Sequence, residues 1–297
     1  MAKEMANTQI STAPSPFKVM WGEIKSDWLA MISFTLIIAI MLTAFILGGI
    51  LDNAEIAHVD LMVRNLPPSR QFPLGTDPGG RNMIDQLAVG MRNSFVIALT
   101  VAFASAVIGL VIGLISGFYG GTIDNIVMRI IDFFSMLPTL LILIVILVLV
   151  PNVTPVKFAL ILVIFNWVGF ARQIRMKTLQ QGVMEYVQAS KTLGTLNIVI
   201  MFREVLPNII SFVVVNLTIL VAGSMGIETG LTFLGFGLPP QTPSLGTLIA
   251  HASNPETLRS RPWQWLIAAL LVLLMMLCIN YVGQALNRAA DAKRRRV

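Results

Sequence analysis

Residues 94–123 read SFVIALTVAFASAVIGLVIGLISGFYGGTI, a run of thirty positions with no charged side chain. A helix rises about 1.5 Å per residue and a bilayer core is about 30 Å thick, so roughly twenty such residues suffice to cross. Within the run, Ala98, Ala102, Ala106, Gly109, Gly113 and Gly117 recur at intervals of three and four. Small residues at that spacing form one stripe along a helix and let a neighbouring backbone come close. The segment reads as a membrane helix with a packing face, not as a site of chemistry.

Four more charge-free runs surround it: Leu29 to Leu51, Phe133 to Val156, Ile209 to Ile227 and Pro262 to Asn287. A further crossing, Val153 to Ala171, requires Lys157 to reach outward from its start, as long basic side chains do. Six spans result, with Pro138 a kink in the third. Composition agrees: 56% hydrophobic and 12% charged, against about 45–50% and about 25% in a soluble domain. The expected organisation is a polar segment 1–28, a six-helix domain 29–287 and a basic tail 288–297. The loop 52–93 lies outside and the loop 172–208 inside.

Orientation follows from the basic residues. With the N-terminus inside, fourteen of the 21 Lys and Arg fall on the inner side, including Arg129, the five from Arg172 to Arg203, and the tail Lys293, Arg294, Arg295 and Arg296. The positive-inside bias therefore places both termini in the cytoplasm. The first apolar run is too long for a signal peptide and is expected to remain as an anchor.

Several functions are disfavoured by the same residues. The basic residues are spread between apolar runs without an aromatic-rich basic motif, against nucleic acid. The lone Cys278 allows no internal disulfide. His58 and His251 have no ligand spacing for a metal. No Gly-x-x-x-x-Gly-Lys-Ser/Thr phosphate loop occurs, so ATP is not expected to bind this chain. No nucleophile elbow or zinc-binding helix is present, and an enzymatic role is not expected.

The most informative polar stretch runs from Arg172 to Asn208. Tyr186, Ala189, Ser190 and Leu193 fall at i, i+3, i+4 and i+7, one small and mildly apolar helical face. Gly194 suits a C-terminal cap, and Asn197 can cap a second helix leading to Leu206 and Pro207. Spacing alone leaves two readings: a helix built to dock into a partner, or an amphipathic helix lying on headgroups.

Here the chain resembles the permease subunits of ABC importers, specifically the oligopeptide and dipeptide branch and its C-type member. Gln188, Ala189, Ser190, Gly194, Leu206 and Pro207 occupy the places of that family's Glu-Ala-Ala loop, and the nine-residue gap Thr195 to Arg203 is kept. Gln188 replaces the acid, although Glu185 lies one turn earlier, and Ser190 replaces the second alanine. Gly75, Thr76, Asp77, Gly80 and Arg81 resemble the branch's external Gly-Thr-Asp signature, with Asn82 for the final acid. Arg129, Asp132 and Pro138 are similar to its third helix, and Trp167, Ala171, Arg172 and Arg175 to its fourth. Glu228, Gly230, Phe233, Gly235 and Gly237 resemble its fifth-helix exit. The C-terminus departs from the branch, keeping only Leu286 and Asp291 of its usual ending.

The resemblance implies an all-α permease of the type I importer fold, with the 185–194 segment as a coupling helix gripped by a cytoplasmic ATPase. ATP and Mg would be bound by two ATPase subunits, not by this chain. A second homologous permease and an external substrate-binding protein complete the expected assembly in the cytoplasmic membrane. Loop 52–93, with Asp77 and Arg81 fixing its turn, would help to dock the binding protein. Glu228, an ionisable residue near the outer end of its span, is either a pathway residue or a brace for the glycine-rich turn after it. Oligopeptides or dipeptides are the expected cargo; nickel, glutathione or cell-wall peptide importers look alike at this level. A self-sufficient secondary transporter would show internal repeats or paired intramembrane charges, and neither is evident in the sequence.

Overall fold

The computed structural model describes residues 16–51, 56 and 58–294. The segment before Pro16 and the tail residues Arg295 and Arg296 lie outside them. All regular elements among the described residues are helical: α1 (Pro16–Ser26), α2 (Trp28–Ile50), α3 (Met83–Tyr119), α4 (Gly121–Met136), α5 (Thr139–Leu149), α6 (Pro155–Gly182), α7 (Glu185–Thr192), α8 (Asn197–Phe233), α9 (Leu245–Ala250), α10 (Pro255–Ser260) and α11 (Leu266–Arg294). Helices α2, α3, α6, α8 and α11 are each long and apolar enough to cross a membrane, and α4 with α5 forms a pair bent by 78°.

The small-residue stripe of α3 explains the central contact. A Cβ on Gly113 would sit 2.6 Å from the carbonyl of Ala171 and 2.7 Å from Cβ of Ile174, and one on Gly117 would sit 2.7 Å from the carbonyl of Arg175. Only glycine lets the two backbones meet at that distance, so α3 and α6 make the most extensive helix pairing in the chain. Ala98, in the same stripe, faces elsewhere, packing with Met225, Leu245 and Met275.

Direction follows from these contacts. Gly109 lies against Trp167 and Ala171, and Gly117 against Arg175 and Thr178, so α3 and α6 run parallel. The chain between them must return from one end of the bundle to the other, and α4 with α5 makes that return as one crossing. The bundle therefore has six passes, the third broken at Pro138. The span expected from Phe133 to Val156 with a kink at Pro138 is broken there outright: α5 ends at Leu149 and is about 16 Å long, half a bilayer core. Proline has no N–H to donate and crowds the turn before it, which accounts for the break.

The start of α2 and the end of α11 lie at the same end of the bundle, where the guanidinium of Arg288 pairs with the carboxylate of Asp27. Asp27 also caps α2, accepting from the N–H groups of Leu29 and Ala30 at 3.0 and 3.2 Å.

Candidate functional site

The loop joining α6 to α8 carries α7. The helix has Glu185 in its first turn and Lys191 in its last, in keeping with the helix dipole. It ends in a Schellman motif: Gly194 has φ +79°, its N–H donates to Lys191 O at 3.0 Å, and Thr195 N–H donates to Ser190 O at 3.1 Å. Val187 is the buried side chain of α7 and sits in a cluster with Phe118, Phe170, Ile174, Ile200 and Val205. That cluster joins α7 to α3, α6 and α8 together.

Polar contacts hold it from both sides. Ser190 Oγ donates to Glu204 Oε1 at 2.6 Å, Gln188 Nε2 to Gly182 O at 2.6 Å, and Tyr186 OH to Gln181 Oε1 at 2.6 Å. Asn208 Nδ2 donates to Tyr186 OH at 3.1 Å. Burial holds the Tyr186 phenol above its ordinary pKa, against the opposing bond from Asn208 and with the nearby Glu204 charge, so it stays a donor at neutral pH. Lys191 Nζ lies 4.7 Å from the centre of the Phe118 ring.

The face expected from spacing is therefore divided. Tyr186 and Ser190 spend their polar tips on the helix stems, whereas Ala189 and Glu185 are exposed and Leu193 is 84% exposed. Val183, Leu196, Ile198 and Phe202 extend an exposed apolar edge on both flanks of α7. Asn197 caps nothing; it is the first residue of α8, preceded by Leu196 without a side-chain cap. Leu206 packs against the Val187 cluster and Pro207 is exposed. Both lie within the continuous α8, just after a wide π turn at Met201–Val205 that loosens the helix before the missing proline donor.

About 55 Å away, at the start of the 37-residue α3, Gly75, Thr76, Asp77, Gly80 and Arg81 form one knot. Thr76 and Asp77 are fully buried. The Asp77 carboxylate accepts from the N–H groups of Gly79 (2.8 Å) and Arg81 (2.9 Å) and from Arg81 Nε (2.7 Å). Leu66 N–H donates to Thr76 Oγ1 at 2.8 Å, and Gln264 Nε2 to Thr76 O at 2.8 Å. A Cβ on Gly80 would overlap Asp60 O at 1.8 Å. These contacts fold the 56–82 loop onto the start of α3 and the turn that precedes α11 rather than offering its side chains to the surface.

Glu228 on α8 is fully buried. It accepts from Ser94 Oγ (3.1 Å), Thr229 Oγ1 (3.3 Å) and Thr232 Oγ1 (3.3 Å), and a Cβ on Gly246 would come within 3.1 Å of it. Ser94 Oγ in turn accepts from Leu245 N–H at 3.1 Å. The carboxylate thus ties α8, α3 and the entry of α9, an arrangement with the geometry of a brace.

Residue pairs across α4 and α6 were not singled out by sequence reasoning. Asp124 accepts from both Arg175 Nε and its terminal nitrogen and from Ser116 Oγ, and Arg172 donates to Asp132 Oδ1 at 2.8 Å and to Ser135 Oγ at 3.3 Å. Motif resemblance marked Asp132, Arg172 and Arg175 without a role; nothing in their spacing pairs residues 40 and 51 positions apart.

Six apolar passes, a short helix displayed at one end on two stems and a sealed knot at the other define a multi-pass helical membrane protein. The comparisons make the assignment specific. Residues 109–296 match the model for the binding-protein-dependent transport system inner membrane component, and the chain belongs to that family. It is 43% identical over 272 residues to the oligopeptide transport system permease protein OppC of Lactococcus lactis subsp. cremoris, covering 91% of this chain and 92% of that one. It is 33% identical over 277 residues to the dipeptide transport system permease protein DppC of Bacillus subtilis, covering 93% and 85%. The peptidoglycan transport system permease protein YejE of Agrobacterium fabrum is 38% identical over 223 residues, covering 74% and 57%.

Proposed function

We propose that this chain is a permease subunit of an ATP-driven importer of peptides, and that α7 is the helix through which a cytoplasmic ATPase drives it. The observation that carries the reading is α7 itself. It is fixed to α3, α6 and α8 by Val187 and by four side-chain hydrogen bonds, yet it presents Ala189, Leu193 and the flanking Leu196 and Phe202 outward. An exposed apolar edge on a rigidly held helix is suited to a protein partner. With no phosphate loop in the sequence, ATP and Mg belong to two partner ATPases.

The α7 end is cytoplasmic in this reading, supported by the basic-residue bias and by the end that α7 shares with Asp27 and Arg288, since Gly48 near the end of α2 lies against Ala88 and Arg92 near the start of α3. Both termini are then inside, and the Asp77 knot gives the binding protein a rigid outer surface. Oligopeptides or dipeptides are favoured as cargo because the OppC and DppC likenesses span 85% or more of both chains, at 43% and 33% identity, whereas the YejE likeness spans 57% of the latter.

Gly194 provides the test. Its φ of +79° is strained for any side chain, and the space beyond it is open. Gly194→Ala should cost about 1 kcal/mol and leave uptake largely intact, whereas Gly194→Glu adds a long charged side chain at the docking edge. The expected result is a Gly194→Glu protein that inserts normally, no longer co-purifies with its ATPases and imports no radiolabelled oligopeptide. Normal ATP-dependent uptake by that variant would refute the reading, and import of muropeptides in place of oligopeptides would reassign the cargo.

A further inference from the structure

Helix α4 is joined to the rest of the bundle in an unusual way. At its start, Gly120 and Gly121 have φ of +63° and +56°, and nothing lies within 4 Å of where their Cβ atoms would be. At its end, Pro138 interrupts the span and turns the chain by 78° into α5. Both connections interrupt the helical ladder: glycines at positive φ in open space leave the first weakly constrained, and Pro138, which donates no N–H, ends the hydrogen-bonded run at the second. What fixes α4 lies along its length. Ile131 packs on Val168 and Ala171, the Phe134 ring lies 5.9 Å from those of Phe165 and Trp167, and two ion pairs join α4 to α6.

The ion pairs are not equivalent. Arg175 and Asp124 keep only 22% and 13% of their side-chain surface, and Asp124 takes one N–H on each oxygen as well as the Ser116 hydroxyl of α3. Arg172 and Asp132 are 42% and 46% exposed. The aspartates lie about 12 Å apart along α4 and the arginines about 4.5 Å apart along α6, so the helices cross and the arginines fan out to two places on α4. Arg175 stands seven residues before the end of α6, the stem from which α7 hangs.

We infer that Arg175 with Asp124, assisted by Arg172 with Asp132, are positioning residues that make the broken third span move with α6, so that displacement of α7 is passed to α4 and to the exposed apolar face it carries. A helix interrupted at both ends follows whatever holds its middle. The rigid partner is available, because α6 is packed backbone to backbone against α3 through Gly109, Gly113 and Gly117. The inference rests on α7 being the ATPase-driven helix, and its test separates the two.

The complete complex is reconstituted in liposomes, and peptide transported per ATP hydrolysed is compared for wild type, Asp132→Asn and Asp124→Asn, while Gly194→Glu is scored for retention of its ATPases and for uptake. Asp124→Asn is expected to retain its ATPases and hydrolyse ATP while transport per ATP falls about tenfold or more, as loss of a largely buried partner implies. Asp132→Asn, at the more exposed pair, is expected to lose only a few-fold. If Asp124→Asn does not accumulate, the double variant Asp124→Asn with Arg175→Gln removes both charges instead of stranding one, and it should fold with the same loss of coupling. Normal transport per ATP in Asp124→Asn, or in the double variant, overturns the inference. If Gly194→Glu loses its ATPases and its uptake while Asp124→Asn is normal, the role of α7 stands and this route alone is wrong.

Discussion

Asp77 shows how much structure one carboxylate can hold. It is fully buried, yet it is offset by two backbone N–H groups and by the Arg81 guanidinium. Removing one member of such a pair leaves the other charge unmatched, at a cost of about 3–5 kcal/mol. Asp77→Ala should therefore open the 56–82 loop while α3 stays in place. The measurement is limited proteolysis of membrane vesicles, in which cleavage near Arg64 and Arg70 should appear in the variant and be absent from the wild type. At the same scale, Gly194 was legible because a glycine following a helical face signals a left-handed cap, and its φ matches. Val187 was not. One valine between two polar residues says nothing about insertion into a cluster drawn from three helices.

Among the elements, the pairing of α3 and α6 is the one most plainly written in the sequence, because the glycine stripe has a single physical use. It also has a sharp consequence. Gly113→Leu would place side-chain atoms where the Ala171 carbonyl now lies, and overpacking of this kind costs about 1–3 kcal/mol or more. The variant should show a lower melting midpoint in detergent, whereas Gly223→Leu, where nothing lies within 4 Å of the added Cβ, should not. The bent third span was legible only in part. Pro138 marked the break, but Asp124, Arg129 and Asp132 made residues 124–132 look like a connecting loop. Counting charges cannot reveal that two of the three are matched by arginines on α6. Likewise, Arg172 and Arg175 ended the expected fourth span at Ala171, although the helix continues to Gly182.

For the whole molecule, α4 and α5 together carry a broad exposed apolar face. Ile126, Ile130, Phe133 and Met136 on one helix and Leu141 and Val148 on the next are all exposed, Met136 at 83%. Lipid can cover such a face, but a second permease subunit would cover it in the proposed assembly. The lone Cys278 is buried, so an engineered thiol at Ile130 can be followed with little background. Ile130→Cys is expected to form a crosslink to a cysteine-bearing second permease, detected as a band of summed mass. Labelling only by lipid-soluble reagents would place this face in the bilayer instead.

The Asp27–Arg288 contact, finally, bears on how the protein is made. Its two members are 261 residues apart in the chain, and at about 5–20 residues per second a ribosome needs roughly 13–50 s to get from one to the other. Throughout that interval α2 waits in the bilayer without the helix that closes over it, since α11 is the last to be synthesised. A premature stop codon before Leu266, where α11 begins, would leave α2 permanently without that cover, and quality-control proteases should find such a chain at α2 although the lesion lies more than two hundred residues further on.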